Sequence, residues 1–284
     1  MLILYITFTL KPLLYFASPN SKLQTLYYSD QLGNTISLSE QPKRIVSLVP
    51  SQTELLFDLG LEEQIVGVTT FCVHPADKVK GKKRIGGTKK LQLDKIRELQ
   101  PDLIIGNKEE NEIAQIRELQ SEFPVWMSDI ISFDDAFEMI EEIGKLVGKV
   151  EESNRLLTEI VHSIEELPLF DGKRVAYFIW HEPYMVAGSN TFIHTILERL
   201  GMVNVFGDHQ RYPEVTIKDI GKAIPELILL SSEPFPFAQK HVDELNLLFP
   251  DSEVKLVDGE MFSWYGSRMR MMPDYMRAVL RPSL

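Results

Sequence analysis

A chain of 284 residues, 44% hydrophobic and 25% charged, has globular composition and is long enough for two domains. Its formal charge of −11 excludes the basic face of a nucleic-acid binder. The single cysteine, Cys72, excludes an intrachain disulfide.

Met1 to Leu10 is apolar, Lys11-Pro12 interrupts it, and Leu13 to Ala17 resumes. Neither piece approaches the ~20 residues of a membrane span. Residues 1–26 read as an export signal or as an extension: no basic residue precedes Leu2, and Tyr15 and Phe16 stand where a cleavage site wants small side chains. A signal would make the protein exported or periplasmic, and an extension would leave it cytoplasmic.

Tyr27 to Leu38 predicts a hairpin turned at Gly33-Asn34. A first buried strand follows at Arg44 to Val49, then a helix over Thr53 to Leu59, a strand at Ile65 to Val68, a helix over Leu93 to Leu99, and strands at Leu103 to Ile105 and Val125-Trp126. Two helices come next, Phe133 to Val147 and Lys149 to Leu167. In the second, Leu156, Leu157, Ile160, Val161, Ile164 and Leu167 make one apolar stripe. At 1.5 Å per residue it is roughly 28 Å long, enough to cross between domains as a strut. Beyond Pro168, strands at Arg174 to Ile179, Glu226 to Leu230 and Val254 to Val257 alternate with helices at Thr191 to Leu200, Ile217 to Ala223, Ala238 to Leu248 and Pro273 to Leu280. Such alternation builds parallel sheets covered on both faces.

The two halves repeat one pattern. Lys43-Arg44 opens a strand, as does Lys173-Arg174; Asp94 to Ile105 reads helix, Pro101, strand, and Lys218 to Leu229 reads helix, Pro225, strand. A repeat of this size predicts two similar α/β lobes, residues 27–148 and 169–284, with residues 149–168 connecting them.

Ligands of parallel sheets lie outside the carboxyl ends of the strands. The loops there carry Ser51, Gln52, Phe71, Thr88 and Asn107 in the first lobe and Trp180, Tyr184, Arg211, Trp264, Tyr265 and Arg268 in the second. Aromatic faces with hydroxyl and amide donors suit a large flat ligand. Arg268 is suited to a ligand carboxylate. No Gly-x-Ser-x-Gly, His-Glu-x-x-His or dinucleotide glycine pattern occurs, so no catalytic residue is assigned. His74, His181 and Glu182 are of metal-ligating type but lack ligand spacing.

The run Lys43 to Glu54, with Gly67-Val68, the helix-Pro101-Asp102-Leu103-Ile104 unit and the preceding Asp30-Gln31-Leu32-Gly33 hairpin, resembles the substrate-binding proteins of ABC importers for cobalamin, haem and ferric siderophores, the helical-backbone class III periplasmic binding proteins. The resemblance covers about Tyr28 to Leu280. It implies two Rossmann-like lobes joined by one long rigid helix, a ligand cleft between them, little closing motion, and delivery to a membrane permease. The ligand, a corrinoid or an iron chelate such as haem or a ferric siderophore, would be cargo. No cofactor and no enzymatic activity are implied, and a monomer is expected. In cobalamin binders an acidic residue on each lobe docks onto permease arginines. Here the first position matches Asp94, whereas the second falls on Lys218, with Asp219 or Glu214 as the expected substitute. Three other readings stay open: a receptor for a free metal ion through His74, His181 and Glu182, a chelatase-like metal-dependent enzyme on the same fold, and a cytoplasmic protein that serves no transporter.

Overall fold

The computed structural model describes residues 25–280; the apolar segment at the start of the chain lies outside them. The chain begins with the hairpin β1 (Leu26–Ser29) and β2 (Thr35–Leu38). Asp30 Oδ1 accepts from the backbone of Leu32 and Asn34, and Gly33 takes a φ of 82° in the turn. Then come β3 (Ile45–Ser47), α1 (Pro50–Asp58), β4 (Ile65–Val68), the two-residue strands β5 (Lys83–Arg84), β6 (Gly86–Gly87) and β7 (Lys90–Leu91), and α2 (Leu93–Glu98). This half closes with β8 (Leu103–Asn107), α3 (Ile113–Gln120) and β9 (Val125–Ser128). Its sheet has the order β5-β4-β3-β8-β9, parallel throughout. The strand order reverses between β3 and β8, which opens a crevice beyond their carboxyl ends.

Two helices follow, α4 (Phe133–Leu146) and α5 (Val150–Glu165). Ser132 and Asp135 form a capping box that starts α4. Gly148, at φ 69°, makes the sharp turn into α5. The helices pack closely: a Cβ on Gly144 would lie 2.1 Å from Ser153 Oγ. At 16 residues, α5 is about 24 Å long. It is braced by α4, by a 3-10 turn at Ser267–Met271 and by the last helix, so the strut read from the sequence is one member of a packed bundle.

The second half comprises β10 (Arg174–Trp180), β11 (Met185–Val186), α6 (Phe192–Arg199), β12 (Val203–Asn204), α7 (Ile217–Ala223), β13 (Leu227–Ser231), α8 (Gln239–Leu248), β14 (Glu253–Val257), α9 (Glu260–Ser263) and α10 (Met272–Leu280). β10, β13 and β14 run parallel, β12 pairs parallel with the start of β10, and β11 pairs antiparallel with its end. The sheet is therefore mixed, where an all-parallel one was expected. Its strand order reverses between β10 and β13.

The sequence repeat has a physical cause. The guanidinium of Arg44 donates to the Leu99 carbonyl at 2.6 Å, and that of Arg174 to the Ala223 carbonyl at 2.5 Å. Each arginine heads a first strand and satisfies a carbonyl orphaned at a helix end. The backbone N–H of Arg44 bonds to Asp102, and that of Arg174 to Glu226. Before each proline stands a left-handed residue, Gln100 at φ 47° and Ile224 at φ 46°. The basic residue, the proline and the acid after it are thus one helix-ending device used twice.

Side chains on the two faces of β10 and β13 go to different cores. Val175, Tyr177, Leu227 and Leu229 join a cluster that runs without a break through α5, α4 and the β3-β8 sheet. Ala176, Phe178, Ile228 and Leu230 form a smaller outer core with Val242 and Leu245 of α8. One apolar body therefore fuses the lobes.

Candidate functional site

Both crevices open toward the same seam. Beyond β3 and β8 lie Pro50-Ser51-Gln52 and the turn at 107–111; beyond β10 and β13 lie Trp180-His181 and Ser231-Ser232-Glu233. Between the lobes is a cavity of about 660 Å³, lined by Lys89, Lys108, Glu109, Asp129 and Ile131 from the first half and Asn190 and Arg211 from the second. Arg211 Nη2 stands 2.7 Å from Glu109 Oε1 and closes one side of it. Lys108 pairs with Asp129 at 2.5 Å, and the Lys89 ammonium donates to the Glu109 carbonyl.

The residues singled out in the sequence fall into four places. Arg211 lines the cavity. Ser51, Gln52, Asn107 and Tyr265 are buried, with Ser128, and do not line it. There Gln52 Nε2 donates to Ser128 Oγ at 2.6 Å and Asn107 Nδ2 donates to the same atom at 2.9 Å. Asn107 Oδ1 accepts from the backbone N–H of Glu109 and Glu110, which shapes the turn after β8. Thr88 is buried beside them, its carbonyl accepting from Asn111.

His74, Trp264 and Arg268 meet in a cross-lobe cluster. Arg268 Nε and Nη2 donate to the two oxygens of Glu54, and Nη1 lies 3.0 Å from Glu260 Oε2. His74 Nε2 is 3.1 Å from the same Glu260 oxygen, and the Trp264 ring stacks under the guanidinium at 4.8 Å. Burial pushes the Glu260 carboxyl above its usual range, against the opposing pull of Arg268 and His74. The donors of Arg268 are thus spent inside the protein. A free ligand carboxylate, the role read for it from sequence, would have to displace Glu54 or Glu260.

The remaining group is an aromatic nest on the second lobe. Trp180, His181 and Tyr184 pack edge-on against Phe235, Phe178 and one another. Tyr184 Oη donates to Glu244 at 2.6 Å. Trp180 is 39% exposed and, from the other lobe, Phe71 is 60% exposed; these rings remain open to a ligand. Glu182 sits exposed at φ 60° before Pro183. His181 and Glu182 are on the aromatic nest and His74 on the cross-lobe cluster, and among the described residues no group of three or more metal-ligating side chains converges.

Asp94 is the second residue of α2, exposed and 3.1 Å from Arg97. Lys218 holds the second position of α7, and Asp219 the third, where its carboxylate closes a capping box with Thr216. Those Thr216 hydrogen bonds hold the Asp219 carboxyl below the usual carboxylate range.

Sequence reasoning missed Lys89, Asp129, Ile131 and Asn190 in the lining. Their one signal is position: each falls within a few residues of the end of a strand or at a turn between elements.

Two α/β halves that share a polar cavity, lined beyond β8 and β9 of the first half and by Asn190 and Arg211 of the second, define a two-lobed ligand-binding protein. The chain belongs to the periplasmic binding protein family, whose model matches residues 45–246. It is 25% identical over 213 residues to an uncharacterized ABC transporter substrate-binding lipoprotein of Bacillus subtilis, covering 70% of this chain and 67% of that one. It is 24% identical over 200 residues to the vitamin B12-binding protein of Pectobacterium atrosepticum, covering 66% and 71%. Its fold is similar to that of a possible iron-binding, periplasmic solute-binding protein of Staphylococcus epidermidis, with TM-score 0.73, 25% identity, and coverage of 85% of this chain and 100% of that one.

Proposed function

We propose that the chain is the solute-binding component of an ABC importer, capturing a corrinoid or iron chelate between its lobes and handing it to a membrane permease. The observation that carries this reading is the cavity of about 660 Å³ lined by residues of both halves, within the 300–1,000 Å³ of small-molecule sites. Phe71 and Trp180 supply exposed aromatic faces beside the seam for a flat macrocycle. The vitamin B12-binding relative supports this ligand class, and the ABC transporter substrate-binding lipoprotein supports the transport role.

Residues 27–148 and 169–284 act as the two jaws. The apolar cluster that runs through both limits them to a small closing motion, because packed cores shift between discrete arrangements instead of deforming continuously. The protein binds its cargo unchanged, works as a monomer outside the cytoplasm, and offers Asp94 and Asp219 toward the permease, with Lys218 as a basic intruder in that surface. Among the described residues no helix is long and apolar enough to cross a membrane.

Calorimetric titration with cyanocobalamin, haemin and ferric siderophores tests the proposal. Saturable one-to-one binding of at least one is expected, and none tighter than millimolar would remove it.

A further inference from the structure

The ion pair of Arg211 with Glu109 crosses from one half to the other in the wall of the cavity, and water reaches both members: their side chains are 45% and 30% exposed. The cross-lobe pair of Arg268 with Glu54 is sealed by comparison, at 7% and 16%. A pair open to water holds weakly, so the Arg211 pair is the one that an incoming group can exchange.

Arg211 is held at the cavity by a strained support. Asn190 and Arg211 are the two residues that the second half gives to the lining, and both have left-handed backbone, at φ 56° and 63°. Residues other than glycine avoid that region, and where they hold it the surrounding structure enforces it, characteristically at ligand sites. Here the enforcement is a short zipper. Arg211 N–H donates to the Ser189 carbonyl at 2.8 Å, Gly188 N–H to the Arg211 carbonyl at 2.8 Å and Ser189 N–H to the His209 carbonyl at 2.7 Å. Arg211 Nη1 then donates to the Asn190 carbonyl at 2.9 Å, while Nη2 faces the first half, 2.7 Å from Glu109 Oε1.

The charge of the lining points the same way. It holds three cations, Lys89, Lys108 and Arg211, against two carboxylates, Glu109 and Asp129, in a chain whose formal charge is −11. Lys108 faces Asp129 and Arg211 faces Glu109, whereas the Lys89 ammonium donates to a carbonyl, which brings no opposite charge. A recess with surplus positive charge draws anions. Glu109 is not stranded when an anion takes Nη2, because the Tyr212 hydroxyl also hydrogen-bonds to it. The guanidinium exchanges one oxyanion for another and stays paired throughout.

We infer that Glu109 holds the position that an anionic group of the cargo takes, and that Arg211 selects a chelate whose rim carries carboxylates or phenolates over one whose rim is uncharged. Glu109 bridges to Arg211 across the cavity, and the cargo anion displaces it. Arg211 therefore recognises the cargo, and Glu109 competes with it. The inference rests on the chelate-binding reading above and narrows it.

The full chain is titrated calorimetrically at pH 8 with four probes: dicarboxylate haemin, an anionic ferric tricatecholate, amide-rimmed cyanocobalamin and an uncharged ferric trihydroxamate. At least one of the first two is expected to bind about tenfold or more tighter than both of the others. Arg211→Asn, which tolerates the left-handed backbone, is expected to weaken that anionic probe by about tenfold, the loss of one charge-assisted contact, and to narrow the discrimination. Glu109→Gln keeps the size of the side chain and removes the competitor, so it is expected to tighten the same probe by about threefold. Each variant is first checked for a native melting transition. Equal or tighter binding of the uncharged probes, an Arg211→Asn variant with an unchanged ratio, or a Glu109→Gln variant that fails to tighten the anionic probe would overturn the inference and leave the chelate-binding reading standing. Failure of all four probes to bind would remove both.

Discussion

Arg268 and Glu54 form a two-pronged pair, Nε to Oε2 at 2.9 Å and Nη2 to Oε1 at 2.8 Å, that ties the C-terminal segment to the first helix of the opposite half. Their side chains are 7% and 16% exposed, so water screens little of the interaction. Removing the arginine would strand two carboxylates, Glu54 and Glu260, in a poorly hydrated seam. Arg268→Ala is therefore expected to destabilise the protein by about 3 kcal/mol, read from urea denaturation. Arg268→Met combined with Glu54→Leu should recover much of that loss, because the stranded charge on Glu54 is gone. A double variant no better than the single one would show that packing, not charge, holds the seam.

Ile224 makes a sharper test of the repeat. It ends α7 at φ 46° and ψ 63°, a left-handed conformation that branched side chains avoid, and its side chain is 69% exposed. Nothing in the core depends on it, whereas the backbone shape is required to meet Pro225. Ile224→Asn is expected to raise stability by about 1 kcal/mol, seen as a higher urea midpoint with an unchanged slope. At the matching position of the first half, Gln100 at φ 47° should respond to Asn more weakly, since it is not β-branched.

Part of that device was readable in the sequence because it is local: in both halves a proline and then an acid close a short helix at the same offset, although the basic pair lies 57 residues before the proline in the first half and 51 before it in the second. The buried strands and the apolar stripes of α4 and α5 were readable for the same reason, as periodicity. Helix α3 was not, since only Ile116 and Leu119 of its eight residues are buried, too few to set a period. The two-residue strands β11 and β12 carry no pattern at all. At the site, aromatic type alone could not separate rings that wall a ligand from rings that seal two lobes. Trp264 and Tyr265 turned inward and Trp180 and Phe71 did not, a choice made by contacts more than a hundred residues apart. Lys89, Asp129 and Asn190 reached the cavity through loop geometry, to which hydrophobic patterning is blind.

Cys72 offers a clock for opening of the first half. Its thiol is fully buried and lies 3.1 Å from Thr53 Oγ1 and 3.2 Å from Thr69 Oγ1. Burial pushes its pKa up, outweighing those hydroxyls, and the thiolate is the reactive species. The native protein is expected to resist a thiol reagent at pH 8, at least a hundredfold more slowly than the urea-unfolded chain. Rapid labelling without denaturant would contradict the packing of Cys72 between β4 and α1.

Glu110 gives stability a pH dependence whose sign can be worked out. Its carboxyl is raised from 4.5 to about 7 in the folded chain, first by burial and then by Glu109 and Glu233. Between those two values the native state binds a proton that the unfolded state has released, so stability falls as pH rises across the window. The favourable contribution is complete below about pH 4.5 and gone above pH 7, where a poorly hydrated charge remains among like charges. Glu110→Gln removes that charge and keeps the shape. The variant should exceed the parent at pH 8 by on the order of 2 kcal/mol, allowing for partial solvent screening, and the gap should close toward pH 4.5. Urea denaturation at pH 5 and pH 8 measures both ends. A gap of equal size at the two pH values would show that the substitution acts through packing and that Glu110 ionises freely in the folded chain.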